Sequence, residues 1–161
     1  MGENKVVFTT GCFDLFHIGH LQFLEQAKAL GDRLVVGVQD DEVIIEAKGH
    51  SPIYPLYDRL RLVSALSCVD VAFPIHGAED EIGITLCGAR IRAIGPDHGY
   101  LARHQPTREK LEAAGIEYIT IPRTPGVSTS IIRRKCHEEV SSDNVAGVAS
   151  ALYGLYIPEH K

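Results

Sequence analysis

His17 and His20 sit three residues apart, and Ile18 and Gly19 lie between them. An apolar run, Val6-Val7-Phe8, precedes them and reads as a buried strand. The segment that follows, Leu21 to Leu30, carries apolar residues at helical spacing. The two imidazoles therefore fall about one turn apart, on one face of a helix start. That end of a helix presents unpaired N–H groups and the positive end of the dipole, so it attracts anions. Two imidazoles added there suit the gripping of a phosphate, and Gly19 allows a ligand close to the backbone. The ordinary alternative is a histidine that caps the helix or faces water.

Four more clusters bear on the same chemistry. In Gly126-Val127-Ser128-Thr129-Ser130 the hydroxyls precede an apolar pair and read as a helix cap. Combined with the first motif, they form a second helix start suited to the outer phosphates of a nucleotide. Arg123 lies just before it and can add a charged fork, whereas Arg133 and Arg134 are a turn too far along. Lys48 falls in Ala47–Pro52, a segment whose Gly49 and Pro52 read as a loop after the second strand. Arg59 sits near a helix start, where the dipole disfavours a cation. A bound anion would resolve that conflict, and so would a salt bridge to Asp58 or another acid. In Gly95-Pro96-Asp97 a strand ends in a turn, and Asp97 there is either a turn residue or a reader of base or ribose. His76 and His104 are assigned no role.

These residues need a frame that brings strand ends and helix starts together. Strands are expected at Lys5–Thr10, Arg33–Gln39, Val71–Pro74, Arg92–Gly95 and Tyr118–Ile121. Helices are expected at Ile18–Leu30, Leu56–Ser67, Asp80–Gly88, Thr107–Ala114 and Ser128–His137. Gly31 and Gly115 stand where helices should stop. Such alternation implies a single α/β, Rossmann-like domain: a mostly parallel five-stranded sheet with helices on both faces. Ligands in such sheets bind beyond the carboxyl ends of the strands. The domain is expected over residues 1–137. A partly helical tail is expected over 138–161, with a helix at Asn144–Leu152 capped by Asp143.

The chain has 161 residues, 45% apolar and 23% charged, ordinary for a globular protein. A net charge of -5 argues against a nucleic-acid partner. Cys12, Cys68, Cys87 and Cys136 form no CxxC pair and read as reduced thiols. The first residues lack the apolar stretch of a signal peptide, and no run has the length of a membrane span. A cytoplasmic location is expected, with no membrane association.

The order of these motifs resembles the HxGH nucleotidyltransferases, and among them the cytidylyltransferases. The likeness is greatest to the glycerol-3-phosphate cytidylyltransferases. The family's G-x-F-D-x-x-H-x-G-H opening corresponds to Gly11–His20, and its late R-T-x-G-x-S-T-[TS] segment begins at Arg123. Its lysine loop, arginine helix and G-x-D turn correspond to Lys48, Arg59 and Gly95-Pro96-Asp97. The likeness runs from about Lys5 to Arg134. One departure is His98-Gly99-Tyr100, where the glycerol-phosphate enzymes carry an acid-aromatic pair.

The resemblance implies CMP transfer from CTP to a small phosphorylated alcohol, giving a CDP-conjugate and pyrophosphate. Adenylyl transfer from ATP to a sugar phosphate of heptose-phosphate type is the alternative, and a non-catalytic nucleotide-binding regulator is a more distant one. His17, His20, Lys48 and Arg123 are the implied catalytic residues. Thr10, Gly11, Cys12, Phe13, Gly19, Gly95, Asp97, Ser128, Thr129 and Ser130 would join His17, His20 and Arg123 around the nucleotide. Asp14, Lys48 and Arg59 would meet the acceptor phosphate. Mg²⁺ is expected on the triphosphate, held by phosphate and water rather than by protein ligands. A homodimer is expected by likeness alone.

Overall fold

Apolar strands alternate with helices as the spacing predicts, and the result is a wholly parallel sheet. The computed structural model describes residues 5–76, 80–96 and 105–139. The elements run β1 (Val6–Gly11), α1 (Ile18–Lys28), β2 (Arg33–Gln39), α2 (Asp41–Lys48), α3 (Leu56–Ser64) and β3 (Val71–Ile75). They continue with α4 (Asp80–Cys87), β4 (Ile91–Ile94), α5 (Gln105–Ala113), β5 (Glu117–Thr120) and α6 (Thr129–Glu139). The strand order is β3-β2-β1-β4-β5. The order reverses between β1 and β4, where open α/β sheets place their ligands.

Alternation along β1 sorts the two faces. Val7 joins Leu24 and Ala27 of α1, Val63 of α3 and Leu34, Val36 and Val38 of β2 in one buried cluster. Val6 and Phe8 point the other way, into a cluster with Ile84 of α4 and Leu111 of α5. Both faces are thus covered, which explains why the central strands read as unbroken apolar runs. At the outer edge, β3 contains Pro74. The Ile75 carbonyl accepts from Asp40 N–H on the β2 side. The alternate residue, Pro74, therefore turns its backbone outward, where its missing N–H breaks no ladder bond.

Helix α2 is an element that the Gly-Pro reading of Ala47–Pro52 did not anticipate, and Lys48 is its last residue rather than part of a loop. The Asp40 carboxylate caps it by accepting Val43 N–H at 2.8 Å. Asp41 and Glu42 occupy the first turn, and Gly49 ends the helix with φ 73°. All three are favourable end signals. Within the helix only Ile44 is buried, so the run has no apolar stripe to announce it.

The chain divides into two compact units, Met1–Pro125 and Gly126–Lys161. The first holds the sheet and α1 to α5, and the second contains α6. The break precedes the Ser128-Thr129-Ser130 motif. The helix expected at Asn144–Leu152 lies outside the described residues.

Gly31 and Gly115 end helices for different reasons. Gly115 takes a left-handed conformation, φ 84°. At Gly31 a Cβ would stand 2.5 Å from the Lys5 carbonyl oxygen and 2.8 Å from Val7 Cγ2. The chain needs glycine there for close approach to β1. Gly31→Ala should destabilise the protein by ~1–3 kcal/mol through overpacking against backbone. Urea unfolding will show a lowered midpoint with an unchanged slope.

Candidate functional site

The loop between β1 and α1 is bent hard. Phe13 and Leu15 both hold positive φ, 52° and 46°, which non-glycine residues rarely do. The bend turns the Phe13 ring into the core, where it is 3% exposed. Gly11 lies over it, and a Cβ at Gly11 would meet the ring at 2.9 Å. Phe13 thus supports the loop from below.

His17 caps α1. Its backbone is extended, and its Nδ1 accepts the Gly19 N–H at 3.1 Å. That N–H is therefore spent inside the cap. Because Nδ1 is an acceptor, the neutral ring carries its proton on Nε2. The His17 and His20 rings stack, centroids 3.8 Å apart at 17°. Phe13 and Phe16 flank His20, each with centroids 5.4 Å from it. His20 Nδ1 is buried and has no hydrogen-bond partner among the described residues.

This setting keeps the pair neutral. Burial pushes His20 down to about 3, and the charges of His17 and Lys48 add to the depression, while Asp14 opposes it. Burial also lowers His17. Two stacked rings could not both be cationic without strong repulsion. The arrangement offers imidazole N–H donors and the Lys48 ammonium in one place.

Asp14 and Arg59 have a different role from the one expected. Neither presents its charge to solvent: Asp14 is 3% exposed and Arg59 0%. Asp14 Oδ1 accepts Ile53 N–H at 2.9 Å and Tyr54 N–H at 3.0 Å. Arg59 donates from Nε to the Tyr54 carbonyl at 2.9 Å and from Nη1 to the Cys12 carbonyl at 2.6 Å. Its Nη2 pairs with Asp41 at 2.6 Å. Both charges are used in a clamp that ties the loop between β1 and α1 to residues 53–54 and to α2. The salt bridge to an acid resolves the dipole conflict, with Asp41 rather than Asp58 as the partner.

The remaining candidates lie at strand ends and at the start of α6. Thr10 and Gly11 end β1, and half-buried Cys12 follows. Gly95 follows β4, and a Cβ there would have no neighbour within 4 Å among the described residues. Exposed Arg123 follows β5, and its neighbour Thr124 bonds Gln22 of α1 at 2.7 Å. Ser128, Thr129 and Ser130 belong to the second unit. There Ser128 Oγ accepts Ile131 N–H at 3.2 Å, the capping bond of α6. Asp97 lies outside the described residues. The sequence reading missed Arg92, fully buried on β4, whose Nη2 bonds Thr10 Oγ1 at 2.6 Å. A charge inside the run Ile91-Arg92-Ala93-Ile94 was its signal.

Residues 8–135 match the cytidylyltransferase-like family. The chain belongs to that family. Its fold is Rossmann-like. It is 55% identical over 95 residues to the bifunctional protein HldE of Hydrogenovibrio crunogenus, covering 58% of this chain and 20% of that protein. It is 37% identical over 132 residues to the bifunctional protein HldE of Citrifermentans bemidjiense, covering 81% and 27%. The chain thus spans about a fifth to a quarter of the length of these relatives. Among solved structures, a lipopolysaccharide core biosynthesis protein from Thermoplasma volcanium superposes with TM-score 0.63 at 30% identity, covering 75% of this chain and 97% of that one. Pantoate-beta-alanine ligase from Francisella tularensis shares the fold, with TM-score 0.53 at 14% identity over 100% and 84%. Among the described residues no helix is long and apolar enough to cross a membrane.

Two outcomes follow from this arrangement. Arg59→Met should cost ~3 kcal/mol in urea unfolding, because Asp41 and two carbonyls lose their partner. His20 gives the second. Unfolded, it takes a proton near pH 6.5, while the folded chain accepts one only near 3. Stability therefore falls as pH drops through 6.5 towards 4. Thermal unfolding of His20→Asn across that window will show a shallower fall than the wild type.

Proposed function

We propose that the chain transfers an adenylyl group from ATP to a sugar phosphate of heptose-phosphate type, releasing pyrophosphate. The observation that carries this reading is the 55% identity to a bifunctional protein HldE. The likeness to a lipopolysaccharide core biosynthesis protein supports the same direction. So does the departure at His98-Gly99-Tyr100 from the glycerol-phosphate pattern. CMP transfer from CTP to glycerol 3-phosphate is the second reading, and the motif order and the family match favour it.

In either case an acceptor phosphate oxygen attacks the α-phosphorus, and the bond to the bridging oxygen of pyrophosphate breaks. The acceptor is already an anion near neutral pH, since its second pKa is about 6. No side chain has to remove a proton. The obstacle is repulsion between two polyanions, so catalysis is positioning plus electrostatic stabilisation. His17 Nε2–H and the His20 ring would donate to the α/β-phosphate region. Their neutrality lets them stack at 3.8 Å until the incoming anion offsets a proton. Lys48, exposed and close enough to depress His20, would draw in the acceptor phosphate. Arg123 is the proposed holder of the outer phosphates.

The residues around the histidines supply imidazole and ammonium groups, and Asp14 Oδ1 is taken by two N–H groups. They suit Mg²⁺ held through phosphates and water rather than by the protein directly. When bound, that ion neutralises charge on the triphosphate.

Pyrophosphate release should be measured with ATP and with CTP, each against heptose 1-phosphate, other sugar 1-phosphates and glycerol 3-phosphate. ATP with a sugar phosphate should exceed CTP with glycerol 3-phosphate at least ~10-fold in kcat/KM, the scale of pocket discrimination. The reverse order overturns the adenylyl reading.

A further inference from the structure

The ladder between β1 and β4 is short. Val7 pairs with Ile91 and Phe8 with Arg92, whereas β1 and β2 pair over six residues from Val6 to Gly11. Past Phe8 and Arg92, side chains carry the seam. Thr9 Oγ1 donates to the Ala93 carbonyl at 2.9 Å. Arg92 Nη1 donates to the same carbonyl at 2.7 Å and lies 3.4 Å from Thr9 Oγ1. Arg92 Nη2 donates across the seam to Thr10 Oγ1 at 2.6 Å. The guanidinium lies 5.3 Å from the Phe8 ring centroid, over its face.

Burying a guanidinium completely is expensive unless its donors are satisfied in good geometry. Here the planar fork spans β4 and β1 at the place where the strand order reverses. Thr10 leads directly into Gly11 and the histidine loop, and Ala93 leads through Ile94 into Gly95. We propose that Arg92 is a positioning residue for the nucleotide: its fork sets the spacing between the carboxyl ends of β1 and β4, across which the triphosphate lies. This rests on the reading that a nucleoside triphosphate occupies those strand ends, and not on which base it carries. Lysine cannot replace the fork, because a single ammonium has no rigid pair of donors to divide between Thr10 and Ala93.

The test is steady-state kinetics with whichever of ATP or CTP the wild-type chain turns over, alongside thermal unfolding. Arg92→Met should raise the nucleotide KM about 10-fold while the acceptor KM stays within about 2-fold. Arg92→Lys should behave like Arg92→Met. Thr10→Val should raise the same KM, and adding it to Arg92→Met should bring no further rise. If Arg92→Met does not fold, Arg92→Lys and Thr10→Val decide the matter by their nucleotide KM. Three results overturn the proposal: an unchanged nucleotide KM with only a lowered thermal midpoint, full restoration by lysine, or multiplicative effects in the double variant. A preference for CTP would overturn the adenylyl reading and leave this comparison intact.

Discussion

The burial of the Phe13 ring is the constraint on which the rest of the site depends. Only by turning Phe13 and Leu15 through positive φ can the chain leave β1, drop a ring into the core and still begin α1 at Ile18. The strain is local and costs of order 1–3 kcal/mol per residue. Apolar burial beneath Gly11 offsets it, and Asp14 and Arg59 hold the loop from the side. The histidine pair inherits its position from that bend. Were the ring exposed, the loop that carries the imidazoles would lose its support from below.

The site shows how charge can be prepared without being present. Two stacked rings, with Phe13 and Phe16 against His20, stay neutral because burial penalises the imidazolium. Nearby, Lys48 keeps a charge in solvent, where it is cheap. The permanent cations of Arg59 and Arg92 are spent inside the fold, bonding carbonyls and hydroxyls. The buried cations that brace the fold are thus separate from the exposed ammonium and the neutral imidazoles of the candidate site.

Much of this was legible in the residues. The five strands and the helices that cover them follow from apolar runs and their spacing, because burial on both faces leaves a strong signal. The place of His17 and His20 at a helix start was also readable. Helix α2 was not, because its ends are well marked but only Ile44 is buried, and Gly49 beside Pro52 looked like a loop. Arg59 and Asp14 carry the charges expected of acceptor-binding groups, and residue type alone does not say which way a charge faces. Their partners, the Cys12 and Tyr54 carbonyls and the Ile53 N–H, are backbone atoms that every residue carries. Arg92 was visible as a charge in an apolar strand, yet Thr10, the partner that explains it, lies 82 positions away.

Pro74 has a consequence that reaches outside the molecule. An outer strand ordinarily offers a row of donors and acceptors on which a foreign strand can template itself. On the solvent side of β3 one of those donors is missing, and a pyrrolidine ring stands where an incoming backbone would have to lie. This flank is therefore protected against amyloid-like lengthening of the sheet by a residue that costs the native ladder nothing.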